Sequence, residues 1–268
     1  MIDYGHGSPL VLIPGIQGRW EWMLPAIRSL GARHRVISFS LHEARPRGAR
    51  PAFDDWGDHV DAVLDGASIA RAVIVGVSFG GVIAARYAAR RPERVSALIL
   101  VCTPSPRWEP DRRLRGYMDR PLRSAPAFAL GAIGRLLPEV IAAKRSWPAR
   151  LAFFAQHLGR AVRYPASPAR MAASVRLWQS SDVAADCSRI AAPTLLITGV
   201  PALDRVVANA SSLEYLQLIP QATHVTLAAT GHVGLVTRPD RFAEIVETFL
   251  AGSAADAGLA TLRTAHAT

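Results

Sequence analysis

The chain has 268 residues, half of them apolar and few aromatic, which suits a globular fold with a sizeable core and excludes a disordered or fibrous chain. Its net charge is +10, but the excess is local: residues 105–187 carry 14 basic and 6 acidic side chains, net +8, while the remainder is nearly neutral. Two cysteines exclude a disulfide framework and give no metal-ligand spacing, no basic n-region opens the chain, and no stretch approaches the roughly 20 apolar residues that span a bilayer.

A soluble, cytoplasmic protein with neither cofactor nor metal is therefore expected. The basic segment lacks the interleaved aromatics of nucleic-acid platforms, so nucleic acid is not the expected partner. Peripheral contact with a membrane, without stable insertion, is compatible with it.

The first strand signal is Leu10-Val11-Leu12-Ile13, ended by Pro14-Gly15-Ile16-Gln17-Gly18. Four apolar residues bounded by Pro and Gly read as a strand buried on both faces. Helical apolar spacing follows over residues 20–30, and a second strand over 35–40. Residues 53–64 read as a helix with Asp54 and Asp55 at its N-terminus, where the helix dipole favours acids.

The next strand, Ala72-Val73-Ile74-Val75, runs into Gly76-Val77-Ser78-Phe79-Gly80-Gly81, and residues 82–89 continue as a small-residue helix. A serine at the apex of such a strand–turn–helix is forced into a strained backbone with its hydroxyl exposed. Another buried strand spans 95–101. Short-looped alternation of strand and helix implies a parallel sheet covered on both faces.

After Thr103-Pro104 the strand signal lapses for about eighty residues, and helices are expected at 111–120, 127–137, 139–144, 149–162 and 168–180. Strands resume at 193–199 and 223–227, and a last amphipathic helix is expected at 239–250. The Ala/Gly/Ser/Thr-rich tail 251–268 is expected to fray.

A serine hydroxyl is a poor nucleophile at neutral pH and needs a base within hydrogen-bond reach. Of eight histidines, His232 lies directly after the last strand and before the last helix, in Gly231-His232-Val233-Gly234. That loop opens at the C-terminal edge of the sheet, on the same side as the serine turn. The histidine needs a carboxylate to fix its tautomer. Asp204 follows a core strand and is the candidate, with Asp182 and Asp186 as rivals and Asp240 better explained as a first-turn helix acid.

The order Ser78, Asp204, His232 and the motif Gly76-Val77-Ser78-Phe79-Gly80 resemble the α/β-hydrolase fold family. The resemblance covers almost everything up to Leu250, with a shortened start where the family's first two strands lie, and it implies a mostly parallel sheet flanked by helices with an inserted helical cap. Residues 1–104 and 188–250 would then be the hydrolase core, 105–187 the cap and 251–268 a flexible tail. The 28-residue step from Asp204 to His232 is similar to that of capped bacterial members and favours Asp204 over its rivals.

The resemblance also implies an oxyanion hole from the backbone N–H groups of Phe79 and Ile16. Pro14 stands where the family commonly has histidine, which removes one polar anchor of that loop. Gln17, Trp20, Phe128, Phe154 and Trp178 are the expected substrate contacts. The expected activity is hydrolysis of small to medium, largely apolar carboxylic esters through an acyl-enzyme. Carbon–carbon bond or enol-lactone hydrolysis with the same triad, and slow-turnover ligand binding, are the alternatives.

Overall fold

The computed structural model describes the backbone of residues 1–265 and the side chains of residues 1–253. Seven strands form one sheet: β1 (Ile2–Tyr4), β2 (Ser8–Ile13), β3 (His34–Ser38), β4 (Ala72–Val77), β5 (Val95–Val101), β6 (Thr194–Thr198) and β7 (Ala222–Thr226). They are ordered β1-β3-β2-β4-β5-β6-β7, and every pairing is parallel except β1 with β3. The start is less shortened than the sequence suggests. Ile2–Tyr4 adds an antiparallel edge strand, too short and too exposed to leave an apolar run.

All six residues of β4 are buried, as are four of β2 and all five of β6. Near-continuous apolar strands of this kind are dictated by helices on both faces. On one face lie α2 (Asp55–Gly66) and α3 (Phe79–Arg90), and on the other α1 (Leu24–Leu30) and α12 (Pro239–Ala265). Leu10, Leu12, Val73, Val75, Ile27 and Phe242 share one core cluster, whereas Val11, Ile13, Ile74, Val60, Phe79 and Ile83 share the other. Alternate residues of β2 and β4 thus feed opposite cores, as the two-residue repeat of a strand requires.

The chain leaves β2 in one direction across the sheet to reach β3, then returns to the other side of β2 to lay down β4. The crevice between β2 and β4 is therefore a topological switch point, the place where doubly wound sheets open for a ligand. The loop holding Ile16 and the turn holding Ser78 border that crevice.

Five helices intervene between β5 and β6: α4 (Arg112–Asp119), α5 (Pro121–Ala143), α6 (Trp147–Arg163), α7 (Pro168–Gln179) and α8 (Val183–Cys187). The two helices expected at 127–137 and 139–144 are one, α5, which passes through both Pro126 and Pro138. An interior proline costs about 3 kcal/mol, so sequence reasoning breaks a helix there. Here the burial of Glu139 and Val140 just beyond Pro138 anchors the last turn. At 23 residues α5 is also long and apolar enough to cross a membrane, contrary to the sequence expectation that no stretch approaches this length.

Three short helices complete the set: α9 (Asn209–Leu213), α10 (Tyr215–Leu218) and α11 (Gly234–Thr237). The last helix does not end at Leu250, since α12 continues to Ala265. Alanine has the highest intrinsic helix propensity, and it recurs through this tail. Residues 266–268 of the expected frayed tail lie outside the described residues.

Candidate active site

Ser78 joins β4 to α3 with φ 53° and ψ −122°, a conformation that L-residues avoid. Its neighbours hold it there. The Ser78 N–H donates to the Val101 carbonyl at 2.8 Å, and the Gly81 N–H donates to the Ser78 carbonyl at 2.8 Å. A Cβ at Gly76 would strike the backbone of Gly80 and Gly81, and one at Gly80 would strike the carbonyls of Ile13 and Pro14. Glycine at these positions lets the strand, the turn and the neighbouring loop pass one another.

The loop after β2 lies on this turn. A Cβ at Gly15 would meet Gln17 Oε1 at 3.3 Å, the Val77 carbonyl at 3.4 Å and Ser78 Cβ at 3.5 Å, so the loop passes close to the serine turn at this glycine. Among the described residues, no backbone carbonyl takes the N–H of Ile16 or of Phe79. Phe79 is the first residue of α3, where helix N–H groups have no intrahelical partner and the dipole favours negative charge. Its ring is fixed edge-on by Phe53, Trp56 and Trp178.

Asp204 and His232 come together from two loops at the same sheet edge. A Cβ at Gly231 would strike the Leu203 carbonyl, so only glycine lets the two loops touch. His232 Nδ1 donates to Asp204 Oδ2 at 3.3 Å, and both side chains are buried. Asp204 Oδ1 accepts the N–H groups of Val206 and Val207, each at 2.9 Å. Burial works to raise the Asp204 carboxyl, but the His232 bond and these two N–H donors outweigh it and hold the group below the ordinary carboxylate range.

The rival acids are engaged elsewhere. Asp182 caps α8 through the Ala185 N–H, Asp186 pairs with Arg86 at 2.8 Å, and Asp240 accepts the Ser29 hydroxyl.

Of the expected substrate contacts, Gln17 lies in the loop after β2, with its Oε1 near Gly15. Trp178 stacks on Trp108 at 5.1 Å and meets the Phe79 ring edge-on, so it packs beneath the turn as buried core. Phe128 lies against Tyr117 and Arg135, Phe154 against Phe153, and Trp20 is half-buried against the core cluster of α1 and α12. Ile16 and Trp108 pack both on the core cluster of α2 and α3 and against Met118, Ala172 and Val175 of α4 and α7, which brings these inserted helices against the loop beside Ser78.

Two neighbours of the His232–Asp204 pair escape sequence reasoning. Cys102, at the end of β5 with φ 45°, lies with its sulfur within 4.8 Å of the Asp204 and His232 ligand atoms and donates to the Gly231 carbonyl. These three donors could in principle grip a cation. Burial and the Asp204 charge push the thiol well above its ordinary value, however, which makes it a poor ligand.

The second neighbour is Glu139 of α5, fully buried, which accepts the Val233 N–H at 3.0 Å and the Thr237 hydroxyl at 2.9 Å. Burial pushes this carboxyl up, against the pull of those donors and of His232. Its sequence signal was available: Glu139 is the single acid between residues 120 and 163.

This arrangement belongs to a hydrolase, and the chain is a member of the alpha/beta hydrolase fold family, whose pattern it matches over residues 8–239. It is similar to a 2-hydroxymuconate semialdehyde hydrolase of Pseudomonas sp. strain CF600, 31% identical over 93% of this chain and 89% of that one. A pimeloyl-[acyl-carrier protein] methyl ester esterase of Nitrosomonas europaea is 27% identical over 89% of this chain and 94% of its own length. Among solved structures, a hydrolase from Pseudomonas aeruginosa superimposes with a TM-score of 0.75 at 24% identity, covering 93% of this chain and 92% of that one, which bears on the fold alone.

Proposed function

We propose that the protein is a serine hydrolase that cleaves carboxylic esters of small to medium, largely apolar substrates through an acyl-enzyme. The observation that carries this reading is the strained Ser78 turn at the sheet edge where His232 hydrogen-bonds Asp204. Ser78 Oγ attacks the ester carbonyl carbon while its proton passes to His232 Nε2, and Asp204 stabilises the resulting imidazolium. The carbonyl oxygen becomes an oxyanion received by the N–H groups of Phe79 and Ile16. Collapse expels the alcohol, which takes the proton from His232 and leaves an acyl ester on Ser78. Water, deprotonated by His232, repeats the attack and frees the acid.

The inserted helices act as a cap, and the packing of α4 and α7 on Ile16 and Trp108 supports an apolar acyl pocket. Gln17, in the same loop as Ile16, is the side chain we assign as a polar contact to substrate.

A second reading has one observation in its favour. The 31% identical relative is named for hydrolysis of 2-hydroxymuconate semialdehyde, an anionic dienoate whose carbon–carbon bond would be cleaved by the same residues. Turnover of nitrophenyl esters and of that dienoate by one preparation separates the two. In either case Ser78→Ala removes turnover and fluorophosphonate labelling. Hydrolysis retained in that variant defeats the assignment of the nucleophile.

A further inference from the structure

Most of the large apolar side chains exposed on this protein lie on two helices. On α5, Leu122, Leu130, Ile133, Leu137 and Ile141 are exposed, and their spacing of three, four or eight residues keeps them on one stripe. On α6, Trp147, Leu151, Leu158 and Val162 form a second stripe, with Trp147 71% and Val162 73% exposed. A soluble surface scatters such residues singly, whereas a contiguous run marks something that covers it.

The charge around the stripes identifies the cover. Residues 120–163 hold eight cations, and their one acid, Glu139, is buried against Val233 and Thr237. Among the described residues none of the eight pairs with a carboxylate, while Arg86, Arg90, Arg91 and Arg94 of the core all do. Arg120, Arg123, Arg145 and Arg163 are exposed. At the start of α5, a depression of about 340 Å³ is lined by Arg120, Pro121, Leu122, Arg123 and Ala169, two cations set beside apolar walls.

A second copy of the chain would bring a like-charged surface to this one and be repelled. A nucleic acid would match the cations but leave the leucine and isoleucine stripes in water. A bilayer with anionic headgroups satisfies both, apolar stripes entering the headgroup–acyl boundary and arginines resting among the phosphates. Glu139 and Val140 hold the inner face of α5 on the core, so the helix lies along such a surface and does not cross it.

We propose that α5 and α6 form a reversible docking surface for an anionic lipid bilayer. The proposal does not rest on which bond the enzyme hydrolyses. Cosedimentation of the full-length protein with vesicles containing about 30% phosphatidylglycerol should capture at least roughly tenfold more protein than phosphatidylcholine vesicles do. Salt at about 0.5 M should release most of it, since the Debye length shrinks to a few ångströms.

The double variant Leu130→Glu/Leu151→Glu should bind at least about tenfold more weakly while keeping its circular dichroism and its turnover of a soluble ester. Independently of that variant, brominated lipid should quench tryptophan emission in the wild type and quench it less in Trp147→Phe. Failure to bind anionic vesicles at low salt overturns the proposal. So does binding that the double variant leaves intact, which would mean a general polyanion surface, and so does a wild-type dimer that the double variant dissociates.

Discussion

Glu139, carried by α5, accepts the backbone N–H of Val233, the residue that follows His232. Its other oxygen takes the Thr237 hydroxyl, so one buried carboxylate fixes both ends of the turn behind His232. Removing this acceptor leaves the Val233 N–H unpaired at about 1–3 kcal/mol, while the Thr237 hydroxyl falls back on the Val233 and Gly234 carbonyls. Glu139→Ala should lower the urea midpoint and reduce kcat more than it raises KM. Glu139→Gln, which can still accept from Val233, should recover most of both.

The same carboxyl gives a pH signature. Its folded-state pKa is raised, chiefly by burial, so the folded protein binds a proton more readily there than the unfolded chain does. Stability contributed at this position is therefore highest at acid pH and falls as pH climbs from the unfolded glutamate value of about 4.3 through the raised folded one. The wild type should gain stability relative to Glu139→Gln as pH is lowered across that window, measured by urea unfolding at several pH values.

Asp204 titrates with the opposite sign. Its folded pKa is depressed, so its contribution is present above about 3.9, the unfolded aspartate value, and is lost as pH falls through the folded value. Asp204→Asn keeps an oxygen for the Val206 and Val207 N–H groups and should fold normally. It presents the wrong partner to His232, and turnover should fall by about 10⁴. A loss of less than tenfold would remove Asp204 from the role proposed for it.

Glycines separate into two kinds that a pair of substitutions distinguishes. Gly80→Ala drives a methyl into the Ile13 and Pro14 carbonyls and should cost about 1–3 kcal/mol or more, together with most of the activity. A Cβ added at Gly134, within α5, would meet nothing within 4 Å, so Gly134→Ala should stabilise by up to about 1 kcal/mol without touching turnover. Chemical denaturation of the two variants against wild type gives both signs.

Both cysteines are free and buried, and burial pushes the Cys187 thiol up to about 12 and Cys102 well above its usual value. Neither should react with an aromatic disulfide reagent in the native protein, and two thiols per chain should react after unfolding. A native-state reaction faster than global unfolding would mean that the Cys102 side of the site opens locally.

The sheet and its serine turn were legible in the sequence because each core strand is a short apolar run between glycines and prolines, and such runs have few alternatives. Asp204 and His232 were legible for a related reason. Each sits just past a strand, where a parallel fold collects its functional loops. What escaped lay in tertiary contacts. Ile2–Tyr4 pairs with β3 through its backbone and needs no apolar signature. Pro138 reads as a helix break until Glu139, one residue later, is seen bound to Val233 and Thr237. Trp178 reads as a pocket residue because aromatics in an insert invite that reading, and only packing shows it beneath Phe79. The exposed stripes of α5 and α6 escaped because periodicity reports a face but not what covers it.

The bond from Glu139 to the base loop also bears on how freely the inserted helices can be exchanged. Capped hydrolases invite chimaeras in which one insert replaces another to change substrate range. In this chain a transplanted insert must supply an acceptor at the same height above Val233, or leave that N–H stranded beside the histidine. Helices that look like a removable accessory are therefore tied, through α5, to the loop that carries His232.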